Sequence, residues 1–162
     1  MKTRNVFSRA AALSNALCLI IVLGSTLNAQ TDSDESRSGQ WRIAGQNLQN
    51  TWSKPAEHSI SPRNVQNLKT KWVFTTGGDV SATPTVAGDA VYFPDWAGNL
   101  FAVNKHSGRL IWSHKIADYD GVPGAVSRVS PAVDHDQLII GDILSSGETH
   151  AGANVIAVDR RT

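Results

Sequence analysis

Five histidines, one cysteine and a scatter of acids are the groups in this 162-residue chain that could do chemistry. His58, His106, His114, His135 and His150 stand at no spacing that brings two imidazoles onto one metal, and they read as loop or strand-surface residues. Asp134-His135-Asp136 sets two carboxylates beside an imidazole and could hold a cation. The triplet falls between two apolar runs, however, so a turn is the expected role. No Cys-x-x-Cys-His is present, and this segment therefore attaches no c-type haem. No short constellation makes a reaction centre by itself.

The segments that must position any chemistry begin with an address. Lys2, Arg4 and Arg9 form a basic front, Ala16–Gly24 is an apolar core, and small and polar residues lead to Ala29. This three-part pattern is that of a secretory signal peptide over residues 1–29. The apolar core is well short of the roughly 20 residues that cross a bilayer, so no stable membrane span is expected. The chain is read as periplasmic or secreted. After residue 29 there remain 12 Lys and Arg against 14 Asp and Glu, a net of −2. No clustered cations suggest a nucleic-acid surface. Cys18 lies in the signal core, leaving no disulfide to the mature chain. Residues 30–40 are polar and read as a disordered lead-in.

From Trp41 to Thr162 short apolar runs recur between Gly, Pro, Asn and Asp: KWVF, TPTV, AVYF, NLFAV, RLIW, PAV, QLII, NVIAV. None keeps a helical period for three turns. The pattern predicts an all-β protein with tight turns. It also repeats. PTVAGDAVYFPD from Pro84 lies over PAVDHDQLIIGD from Pro131 at a spacing of 47 residues, and GNLFAVN from Gly98 lies over ANVIAVD from Ala153 at 55. The difference is an insertion, ILSSGETHAG, in a hairpin loop. A period of about 40–50 residues with four short strands predicts β-propeller blades.

Within a repeat, DAVYF and NLFAV are expected to be antiparallel neighbours. Asn104 and Ser107 can bond local backbone in the next turn, where Gly108 can take a positive φ. Trp72 and Trp112 each close a unit. Either fills the core of its own sheet or packs across to the next unit. Their recurrence favours the second, and a buried Trp is worth at most about 4–6 kcal/mol.

AVNKHSGRLIW, residues 102–112, resembles the tryptophan-docking motif of the pyrroloquinoline quinone (PQQ) dehydrogenases, with Asn104 and Ser107 in place of Asp and Thr. AVDRRT matches it through Ala157, Asp159 and Thr162. The opening from Trp41, with Asn-Val, Leu and Trp72, is similar too. VSATPTVAGDAVYFPDWAGNLFAVN most resembles the polyvinyl-alcohol dehydrogenase branch. The resemblance implies an eight-bladed propeller in the periplasm, with PQQ and calcium over the central channel. It implies oxidation of a small or polymeric alcohol and electron transfer to a cytochrome c. Arg128 stands where the family has an arginine on the quinone, and it is the one cofactor-binding candidate. The alternative for Arg128 is a solvated turn residue. Ser81 stands where alcohol dehydrogenases of the family carry a glutamate, and the family's adjacent cysteines are missing. The resemblance would put the catalytic Asp and the calcium ligands in later blades.

The second repeat stops inside its docking motif, so an N-terminal fragment of a longer propeller is expected. About two blades close no ring, and the chain alone is expected to bind no PQQ and oxidise no alcohol. The rival reading is a non-enzymatic propeller used as a binding or assembly scaffold.

Overall fold

The computed structural model describes residues 39–144 and 153–161. The expected signal peptide, nearly all of the lead-in and most of the insertion lie outside the described residues. Two antiparallel sheets carry the fold. The first runs in chain order through β1 (Thr85–Ala87), β2 (Ala90–Pro94), β3 (Asn99–Asn104) and β4 (Leu110–Lys115). A helical turn, α1 (Ile116–Asp120), and β5 (Ala125–Val126) lead to β6 (Ala132–Asp134), β7 (Gln137–Gly141) and β8 (Ile143–Leu144). β9 (Val155–Asp159) completes the second sheet in the order β6-β7-β9, while β5 pairs with β8 apart from it. Among the described residues no helix is long and apolar enough to cross a membrane.

The repeat seen in the letters is a repeat in space. Val86 pairs with Val91 and Ala90 with Asn104 in the first sheet. Their equivalents Val133 with Leu138, and Gln137 with Asp159, pair in the second. The tight turns match as well. Gly88 has φ 61°, and its equivalent His135 takes the same left-handed region at 49°. The Asp134-His135-Asp136 triplet is therefore a hairpin turn, as expected. Among the described residues His135 Nδ1 meets only the exposed Asp134 carboxylate, at 2.8 Å.

Apolar side chains from both sheets meet in one core. Tyr92, Leu100, Ala102 and Trp112 pack with Val133, Leu138, Ile140 and Val158. Trp112 joins the units in the second of the two expected ways. Its indole Nε1 donates to Arg160 O at 3.0 Å, in the turn after β9. Trp72 does the same one unit earlier, donating to Lys105 O at 2.9 Å. Lys105 and Arg160 are equivalent positions, 55 residues apart. The Trp72 ring lies on Gly108, where a Cβ would come within 2.7 Å of Trp72 Cγ and φ is +71°. The Asn104 carboxamide oxygen accepts the His106 and Ser107 N–H groups at 3.0 Å each and so holds that turn.

One expectation changes. KWVF has the pattern of a strand, yet residues 71–76 join no ladder among the described residues. They still alternate like a strand. Trp72, Phe74 and Thr76 turn inward, and Phe74 meets Phe93 and Phe101 edge-on at 6.1 and 5.4 Å. After β4 the chain leaves the strand pattern: Ile116–Asp120 is a helical turn, closed by Gly121 N–H on Ala117 O at 3.0 Å. Ile116 is fully buried and anchors it. One buried apolar residue in five is too little periodicity to read as a helix.

Candidate functional site

The site residue expected from sequence, Arg128, lies between β5 and β6. It is the equivalent of Ser81, 47 residues earlier, just before β1. Both precede a Ser/Thr-Pro step that starts the first strand of a sheet. Those first strands are stitched together there. Ser130 Oγ accepts from Thr83 N at 2.8 Å, and Thr85 Oγ1 donates to Pro131 O. The stitching holds Ser81 and Arg128 at neighbouring places on the same end of the two sheets.

Trp96 joins the two. It sits in the hairpin between β2 and β3, and its Nε1 donates to Ser81 Oγ at 3.0 Å. The Arg128 guanidinium carbon lies 6.0 Å from the centre of the indole ring. At an exposed site such a cation–π contact is worth about 0.5–1 kcal/mol. Among the described residues no carboxylate pairs with Arg128, so its N–H donors remain available. A cleft of about 240 Å³ opens from Trp96 towards Gly98, Lys115 and Gly124. The arrangement offers a flat aromatic face with a guanidinium at its edge. Such a shelf can take a planar group bearing an anionic oxygen.

The hairpin under Trp96 is held by a buried acid that sequence reasoning aligned but gave no role. Asp95 is fully buried. Its Oδ2 accepts the Gly77 and Gly78 N–H groups at 3.2 and 3.1 Å. Its Oδ1 accepts from Ala97 N at 3.1 Å and Asn99 N at 2.8 Å, and Asn99 Nδ2 donates to both oxygens. Gly78 is required for this approach, since a Cβ there would stand 2.5 Å from Ala97 N. Trp96 N then donates to Asp79 O at 2.9 Å. In the second unit Asp142 accepts from both Asn154 N and Asn154 Nδ2. The Asp-to-Asn pair is thus part of the repeat, and its signal was the coincidence of Asp95 with Asp142 and Asn99 with Asn154.

Asp142 has a second acid beside it. Among the described residues no donor reaches Asp120 Oδ2, which is buried. Burial pushes the Asp120 carboxyl up; the Val122 N–H pulls it down and Asp142 pushes it up again, leaving it raised. Burial also works to raise Asp142, but the Asn154 N–H, Asp120 and the Asn154 side chain outweigh it, leaving it lowered. The two carboxyls are therefore driven apart, and Asp120 is the one of the pair that takes up a proton first as the medium becomes more acid. Among the described residues no three His, Cys, Asp or Glu gather to hold a metal ion. Ser81 supplies a hydroxyl and no carboxylate, so calcium has no donor set at this shelf.

Residues 66–162 match the family described as Outer membrane protein assembly factor BamB. A polyvinylalcohol dehydrogenase of Pseudomonas sp is 30% identical over 84 residues, covering 52% of this chain and 13% of that protein. A tetrathionate hydrolase of Acidithiobacillus ferrooxidans is 32% identical over 65 residues, 40% of this chain and 13% of that protein. The quinohemoprotein alcohol dehydrogenase of Comamonas testosteroni superposes with a TM-score of 0.49 at 17% identity, over 81% of this chain and 28% of that one. The chain spans 13–16% of the length of the curated relatives it matches.

Proposed function

The chain belongs to the family of PQQ-type β-propeller repeats described as Outer membrane protein assembly factor BamB, and from that membership we propose that it forms blades of a periplasmic PQQ-dependent alcohol dehydrogenase. The observation that carries this reading is the shelf of Arg128, Trp96 and Ser81. PQQ is a planar, anionic ring system, and the shelf supplies a flat face and unpaired guanidinium donors. When bound, the quinone would supply two-electron oxidation of an alcohol to a carbonyl. Arg128 would donate N–H groups to its oxygens and favour the negative charge that grows on reduction. Trp96 would keep water off one ring face, and Ser81 would hold the indole plane. Calcium and the proton-accepting carboxylate would be bound by other parts of the ring. Likeness to a polyvinylalcohol dehydrogenase supports a polymeric or secondary alcohol as substrate. A cytochrome c is the proposed electron acceptor.

The test uses the protein that carries this chain, loaded with PQQ and Ca²⁺. Dye reduction with polyvinyl alcohol or a secondary alcohol is expected, and Arg128→Ala should weaken PQQ binding about tenfold or more, as loss of a charge-assisted hydrogen bond does. No quinone-dependent reduction, with no PQQ retained, would sink the proposal. It would favour the second reading, an assembly scaffold, which the family description and Ser81 in place of an acid support.

A further inference from the structure

A different cleft lies where the chain first enters the fold. Trp41 pairs with Val86 of β1, each N–H to the other's carbonyl at 2.8 Å. The next residue, Arg42, accepts the Val133 N–H of β6 on its carbonyl at 2.9 Å. The backbone of these two residues therefore bridges the seam between the two sheets and fixes Arg42 beside it.

The following loop folds back onto Arg42. Gln46 N–H bonds Ile43 O at 3.0 Å, and Trp52 N–H bonds Gly45 O at 3.1 Å. Gly45 admits no side chain, because a Cβ would fall 1.7 Å from Asn50 Oδ1. Gln46 is held at φ 75°, a left-handed conformation that a glutamine adopts only under constraint. Lys54 Nζ reaches back to Gln40 O at 3.0 Å. Together these contacts shape a cleft of about 230 Å³ lined by Gln40, Arg42, Gln46, Asn47 and Lys54.

The lining holds two cations, three carboxamides and no acid. Gln40 and Asn47 are partly used, on Gly88 and Thr51. Among the described residues the Arg42 guanidinium makes no ion pair or hydrogen bond, although it is half-buried. The Gln46 carboxamide is likewise unbonded among them. A planar guanidinium fork and an amide donor lining one cleft suit the oxygens of one anion.

We propose that this cleft is an oxyanion site for a phosphate- or sulfate-class group, held by Arg42 and Gln46 with Lys54 adding charge. It is separate from the Arg128 shelf and does not depend on the protein being a dehydrogenase. Binding would clamp the seam between β1 and β6.

The probe is inorganic phosphate, titrated into the purified protein by calorimetry, with chloride at matched ionic strength as control. Saturable one-site binding is expected, with a rise in unfolding temperature. Arg42→Gln should weaken it about tenfold, and Arg42→Lys, which keeps the charge but loses the fork, should weaken it less. Arg63→Gln, an exposed cation outside the cleft, should change nothing. Among the described residues the Arg42 side chain makes no hydrogen bond or ion pair that folding would lose, and circular dichroism of each variant checks the fold. A response equal to that of chloride, or one unchanged in Arg42→Gln, would overturn the site.

Discussion

Asp120 shows how far one side chain depends on a distant segment. Its carboxyl is raised by burial and by Asp142, so between the unfolded and the raised value the folded protein holds a proton there that the unfolded chain releases. Stability from this group is full below the unfolded pKa of an aspartate and falls as pH rises through the raised value. Asp142 acts oppositely: lowered in the fold, it contributes above the unfolded value and loses that contribution as the medium becomes more acid. Asp120→Asn keeps Oδ1 for the Val122 N–H, 2.8 Å away, and supplies an amide donor to Asp142 without needing a proton. The variant should unfold at higher denaturant than the parent at neutral pH and show no gain near about pH 3, where the carboxyl is protonated anyway. Urea midpoints at both pH values decide it. A pH-independent difference would contradict the raised Asp120 carboxyl. None of this was legible from sequence, because Asp120 and Asp142 meet only when α1 packs beside the second sheet.

At the scale of elements, the docked tryptophans join one sheet to the next. Trp112 stands on β4 of the first sheet, is 9% exposed, and bonds the turn after β9 of the second. Trp112→Phe keeps most of the ring but removes the shorter bond to Arg160 O, leaving it the Tyr92 hydroxyl at 3.4 Å. It should cost about 1–2 kcal/mol. Trp112→Ala, which also opens a cavity, should cost about 3–5 kcal/mol. Chemical denaturation followed by far-ultraviolet dichroism measures both. If phenylalanine were as stable as tryptophan, the indole bond would not be what joins the sheets. This element was legible in advance, since Asn104, Ser107, Gly108 and Trp112 have fixed places in a short phrase and the turn they build is local. The helical turn at Ile116–Asp120 was not, because its one buried residue gains its burial from the neighbouring sheet.

At the scale of the molecule, β9 lies at the margin of its sheet, and among the described residues nothing pairs with its outer edge. Its equivalent β3 is covered by β4. Val155 on β9 is 80% exposed. An open apolar edge recruits further strands. The purified chain should therefore associate as its concentration rises, and Val155→Lys should suppress this without lowering its unfolding temperature. Light scattering across a dilution series tests the point. Equal association in the variant would mean that the edge is not the contact.

The sequence by itself determined the repeat, the strand order within each unit, the turns, and the docking role of Trp72 and Trp112. These follow from residue types at fixed local spacings, and local hydrogen bonds enforce them. Only the tertiary structure decided which groups meet across the repeats. It set Trp96 between Ser81 and Arg128, gave buried Asp95 the N–H groups of Gly77 and Gly78, and brought Asp142 beside Asp120. Those contacts join residues far apart in the chain, and their distances come from how two sheets pack.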